Sequence, residues 1–129
     1  MEELLNKIAE ISSNLTDYQI EELEEQIEDR GFLEEDRENL SNLRAIENTL
    51  DIFYMFSDNS KVLFNFYPDF VDSLKITINS IEFYINQNDF YKAVICCEEL
   101  IFQYLQVLND FFSRKEVKNV KIKNSRSGH

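Results

Sequence analysis

Apolar residues recur along this chain at helical intervals, and the breaks between runs divide it into segments. Leu4, Leu5, Ile8, Ile11 and Leu15 stand three and four apart, which predicts an amphipathic helix over 2–15. Ser12, Ser13 and Asn14 are expected to fray its end, with Thr16 or Asp17 as the N-cap of a second helix. There Ile20, Leu23 and Ile27 make a narrow stripe opposite a broad acidic face, and Gly31 takes the C-cap position. Phe32, just beyond, is expected to pack back on that helix. A third helix begins near Glu34–Leu40, where early acids complement the positive helix N-terminus. It carries Leu40, Leu43, Ile46, Leu50 and Phe53, and the turn formers Ser57–Ser60 mark its end.

Lys61–Tyr67 is too short for periodicity to separate helix from strand. A lone strand would lack a pairing partner, so one or two helical turns are expected, with a break at Tyr67–Pro68 because proline disfavours helical angles in the residue before it. Pro68 opens a further helix striped by Phe70, Val71, Leu74, Ile78, Ile81 and Ile85. Asn86–Asp89 stops it, and Asp89 caps the last helix, whose wide stripe runs from Phe90 through Cys97, Leu100, Tyr104, Leu105 and Leu108 to Phe112. After Ser113 the pattern gives way to a polar, basic tail. The expected architecture is all-α: an antiparallel bundle of four to five helices with short loops, residues 1–113 forming one domain and 114–129 a frayed basic tail.

Composition agrees with that plan. Two Gly and one Pro in 129 residues argue against the many tight turns of an all-β fold, and 43% apolar residues suffice for one core. Charge adds a bias: net −12 overall, with 17 acids against 4 bases in residues 1–60 and 1 acid against 6 bases in 112–129. An acidic body repels nucleic-acid phosphates, so no direct nucleic-acid partner is expected, and basic proteins suit it better. The N-terminus shows no apolar signal segment, no apolar run is long enough to span a membrane, and the two cysteines are adjacent, so a cytoplasmic protein without disulfides is expected.

Catalytic parts are scarce in the sequence. The single histidine is His129, so the Glu-x-x-His pairs of a di-metal bundle cannot be formed. Two glycines, Gly31 and Gly128, cannot build a phosphate loop. Cys97 falls on the core stripe, and Glu98 and Glu99 would oppose thiolate formation. Glu21, Glu24, Glu25 and Glu28 read as a solvated acidic face. The expectation is a protein that is not an enzyme and uses no metal or cofactor.

One stretch is unusual. Residues 51–70 hold seven of the chain's seventeen aromatic residues. Phe53, Leu63 or Phe64, and Phe70 continue core stripes. Tyr54, Phe56, Phe66 and Tyr67 have no evident burial partner, and at least two of these are expected to be exposed or in an interface. A groove lined by Tyr54, Met55, Phe56, Phe64, Phe66 and Tyr67 is the candidate partner site.

Residues 70–112, a helix, an Asn/Asp turn, an aromatic and an acidic-apolar helix, carry Asp89, Phe90, Glu98 and the Leu105–Leu108 region. In these features the segment resembles the C-terminal helical hairpin of an uncharacterised bacterial all-helical family, although that family's proline in the last helix is replaced by the region of Gln103. The chain is also similar in size, charge and composition to small acidic helical export chaperones. These resemblances imply a helical bundle. The functional expectation is a non-catalytic protein-binding module of chaperone, immunity or adaptor type, its partner another protein, basic or helical, or a second copy of itself. The alternative is an acidic mimic of nucleic acid that blocks a basic protein site through Glu21, Glu24, Glu25 and Glu28.

Overall fold

The computed structural model describes the backbone of residues 2–127 and the side chains of residues 2–114. In order along the chain stand α1 (Glu2–Glu10), a π-helical turn (Ile11–Thr16), α2 (Asp17–Arg30), α3 (Glu34–Asn59), α4 (Lys61–Phe64), α5 (Pro68–Asn86) and α6 (Phe90–Ser127). All regular structure among the described residues is helical, as the apolar periodicity predicts. No described helix is long and apolar enough to cross a membrane.

Residues 2–30 form one rod, where a break at Ser12–Asn14 was expected. Core-facing positions run Ile8, Ile11, Ser12, Thr16 and Ile20, so the inward face passes through the expected break without interruption. A π-helical turn carries this stretch and buries Ile11, Ser12 and Thr16 together. Ser12 and Thr16 are therefore buried helical residues: neither Thr16 nor Asp17 acts as a side-chain cap, and the Thr16 hydroxyl donates to the Ile11 carbonyl at 2.9 Å. Gly31 ends α2 as expected, with φ 89° and its N–H donating to the Ile27 carbonyl. Phe32 does not pack back; it is exposed. The corner is held instead by Asp36, which accepts two hydrogen bonds from Arg30 and one from the Leu33 N–H, each at 2.8 Å. Those bonds hold its carboxyl down at about 2.

The core is one layer of stripe residues from every long rod: Leu5, Ile8, Leu43, Ile46, Leu50, Leu74, Ile78, Ile81 and Leu100, all almost fully buried. Consecutive rods run antiparallel. Lys61 at the start of α4 meets Glu2 at the start of α1. Glu3 and Leu4 lie beside Lys75 and Ile78, and Glu10 and Asn14 beside Glu82 and Asn86, so α5 lies parallel to α1. In space α6 packs between α5 and α3, and α1 with the π turn packs on α3, which leaves α3 and α5 on a diagonal. The α3-to-α5 connection must therefore cross the bundle end. Helix α3 continues through Ser57 and Asp58 and ends at Asn59, within the expected turn, and Ser57 is buried. Pro68 then starts α5 at its first helical position after Tyr67 takes an extended-side φ of −136°.

Helix α6 begins as expected, with Asp89 accepting from the Lys92 N–H. Its backbone continues past Ser113 to Ser127, and the expected basic surface of the tail lies, from residue 115 onward, outside the described side chains. Two members of its predicted inner stripe, Leu105 and Phe112, are exposed, because they stand on the side of α6 that faces away from both α3 and α5.

Candidate functional site

Four helices, α3, α4, α5 and α6, build the aromatic corner. Helix α4, a single turn, crosses the bundle end and drops Leu63 and Phe64 into it. Phe64 stacks on Phe70 with centroids 5.8 Å apart and planes nearly parallel, and its ring lies 6.2 Å from Tyr104. Tyr104 in turn meets Phe53 edge-on at 5.4 Å, an arrangement that aromatic quadrupoles favour. Its hydroxyl reaches the Phe56 carbonyl and Ser60 Oγ at 3.4 and 3.3 Å. Phe53, Phe64, Phe70 and Tyr104 thus plug the end of the core.

Phe64 was expected to line a partner groove, and the structure corrects this: it is only 2% exposed and belongs to the plug. Tyr54 and Tyr67 are half-buried against the core. Met55, Phe56 and Phe66 are exposed, so two of the four aromatics without an evident burial partner, Phe56 and Phe66, do face solvent. Val62, which the sequence pattern did not single out, joins them as the most exposed large apolar residue among the described side chains, at 69%. A one-turn helix cannot bury all its sides: with Leu63 and Phe64 turned inward, Val62 and Phe66 turn outward.

The polar edge of the corner is organised as well. Tyr67 donates to Asp110 at 2.6 Å, and Arg114 bridges to the same carboxylate at 3.0 Å while lying 5.8 Å from the Tyr67 ring centroid. The Asp110 partner raises the Tyr67 pKa, burial adding to it and Arg114 opposing. Phe66 leans on Phe111 at 6.1 Å. The exposed apolar group and the base of the α6 extension are therefore neighbours.

Glu21, Glu24, Glu25 and Glu28 stand on the outer face of α2, all exposed, and together line an open depression of about 360 Å³. Arg44 from α3 reaches Glu24 at 3.7 Å. A second acidic group lies where the π turn meets α3. Ser12 donates to Asp51, and Glu47 sits between Asp17 and Asp51 with one carboxyl oxygen buried and unpartnered. Hydrogen bonding with Asp17, then burial and the Asp17 and Asp51 charges, push Glu47 up to about 7 against a smaller opposing pull from Arg44. Sequence spacing had no means of finding this group, since it depends on the π turn bringing residue 12 opposite 47 and 51. Among the described residues no set of His, Cys, Asp and Glu is arranged to hold a metal ion. Burial pushes the Cys97 thiol up to about 12, with Cys96 and Glu98 adding to it, which suits a packed core residue and not a nucleophile.

Compared with known protein families, known proteins and solved structures, the chain matches none of them.

Proposed function

We propose that the chain is a non-catalytic protein-binding module of the chaperone, immunity or adaptor type, docking its partner on the aromatic corner. The observation that carries this reading is the outward group Met55, Phe56, Val62 and Phe66, held on a fixed plug. Exposed apolar side chains gathered at one place on a rigid frame favour a docking surface over scattered surface residues. The net charge of −12 favours a partner with a basic rim around an apolar contact. The test places a photo-crosslinking amino acid at Phe66 and, as a control, at the isolated exposed residue Ile76 of α5. One discrete protein captured from native cells at 66 and not at 76, and lost on changing Met55 and Val62 to Ser, supports the reading. Equal capture at both positions removes it.

A second reading is favoured by the four carboxylates of α2 facing one depression: a mimic of nucleic-acid phosphates that occupies a basic site. Replacing Glu21, Glu24, Glu25 and Glu28 by Gln discriminates the two. Loss of partner binding in that variant, with binding unaffected by Met55 and Val62 changes, favours mimicry.

A further inference from the structure

Helix α6 is apolar on two sides. Its inner stripe fills the core, and a second stripe of Tyr91, Ile95, Phe102, Leu105 and Phe112 faces away, each residue between 45% and 62% exposed. The steps between them are four, seven, three and seven, which is the heptad seam of a coiled coil. The two positions that complete the seam are polar: Glu98 and Asn109. Ile76 and Phe83, the large apolar residues exposed on α5, form no such run. At about 150–250 Å² for an aromatic side chain, these exposures leave on the order of 600 Å² of apolar surface uncovered on one helix. That approaches the roughly 800 Å² each partner of a stable interface contributes.

We infer that this outward face of α6 is the seam of an antiparallel homodimer, with Phe102 of one copy opposite Leu105 of the other. The register is what selects a second copy as the occupant. Antiparallel helices set each a position against a d position, and with Phe102 facing Leu105 the same twofold sets Ile95 against Phe112. It also sets Glu98 against Asn109, so both polar interruptions meet each other and an amide N–H can donate to the carboxylate. Every apolar position from 95 to 112 then has an apolar partner. A parallel pairing would bring the two Glu98 carboxylates together, which is repulsive.

Charge independently supports the same direction. Residues 115–127 carry five Lys and Arg against one acid, and the α6 backbone takes them away from the chain's own α2 and α3 N-terminus. The bundle end they leave is the α4 end, whereas Glu28, Asp29, Glu34, Glu35 and Glu38 stand at the opposite end. The α6 backbone thus points away from the acidic end of its own chain. In the antiparallel dimer the extension of each copy runs past Tyr91 of the other towards the acid-rich end where α3 begins. The dimer thus brings the basic sequence of one copy towards the acidic end of the other.

The experiment uses the full chain in size-exclusion chromatography with light scattering over a concentration series. The wild type is expected at twice the 15.4 kDa chain mass. Phe102→Glu and Leu105→Glu are expected to run as monomers with unchanged helical circular dichroism, and Phe83→Glu as a dimer. Orientation is read by cross-linking in a Cys96→Ser background. Ile95→Cys with Phe112→Cys is expected to give a disulfide-linked dimer on mild oxidation, and Ile95→Cys alone is not, since the two 95 positions stand about 25 Å apart in this register. A monomeric wild type, a dimer that survives both Glu substitutions, or linking by Ile95→Cys alone overturns the proposal.

Discussion

Phe64 and Phe66 are the same residue type two positions apart, and the fold assigns them opposite environments. Phe64 is 2% exposed and stacked in the plug; Phe66 is 62% exposed. Truncating a buried Phe to Ala removes its transfer energy and leaves a cavity, for about 3–5 kcal/mol in total. Phe66 has only about a third of its surface to lose, and full burial of such a side chain is worth roughly 1.5–3 kcal/mol, so Phe66→Ala should cost under about 1 kcal/mol. Urea unfolding followed at 222 nm measures both. With a slope of about 2 kcal/mol/M, Phe64→Ala should move the midpoint down by about 2 M and Phe66→Ala by less than about 0.5 M. If Phe64→Ala is too unstable to measure, Phe64→Leu keeps most of the volume and preserves the ranking at roughly 1–2 kcal/mol. Equal midpoint shifts for Phe64 and Phe66 would refute the inward and outward sides of α4, and the partner site built on them.

Two further perturbations test the rest of the frame. Folded Glu47 holds its proton to about 7, whereas an unfolded glutamate releases it near 4.3. Its contribution is thus fully present below about pH 4.3 and lost as the pH rises through 7. Glu47→Gln keeps the protonated shape at every pH, so its urea midpoint should exceed the wild type's above pH 7 and match it near pH 4; parallel curves would discard the acidic cluster. Gly31→Ala meets no neighbouring atom within 4 Å, yet φ 89° is a backbone region that only glycine adopts freely. It should cost about 1–3 kcal/mol in thermal or urea unfolding, all of it backbone strain, and an unchanged midpoint would mean the α2–α3 corner has another shape.

The long helices were legible in the sequence because each buries a stripe wide enough to show in its spacing. Leu43, Ile46, Leu50 and Phe53 in α3, and Leu74, Ile78, Ile81 and Ile85 in α5, lie where periodicity places them. The failures share a cause: position on a helix is visible in sequence, but the number of neighbours around that helix is not. Leu105 and Phe112 have helical spacing from the core residues yet face outward, since only α3 and α5 flank α6. Ser12 and Thr16 look like a break until the π turn gives Ile11 and Thr16 a common face. In the corner, Phe56 and Phe66 were recognisable as surplus aromatics, while Phe64 turned inward and Val62, to which the spacing assigned no role, turned outward, because a single turn of helix has no period to read.

The diagonal crossing by α4 bears on how the chain reaches this structure. Residues 2–59 form one local hairpin and 68–112 another, so most contacts of each close over short stretches of chain, the condition under which folding is fast. The two hairpins meet at the plug, along the α3–α6 face, and at the side where α1 and the π turn touch α5. Seating Phe64 and Tyr104 then becomes the late, non-local event, and damage to the plug should accelerate unfolding more than it slows the formation of either hairpin. The same corner that offers apolar side chains to solvent is thus the latch between two halves, and whatever binds there would act on the protein's kinetic lifetime as well as on its surface.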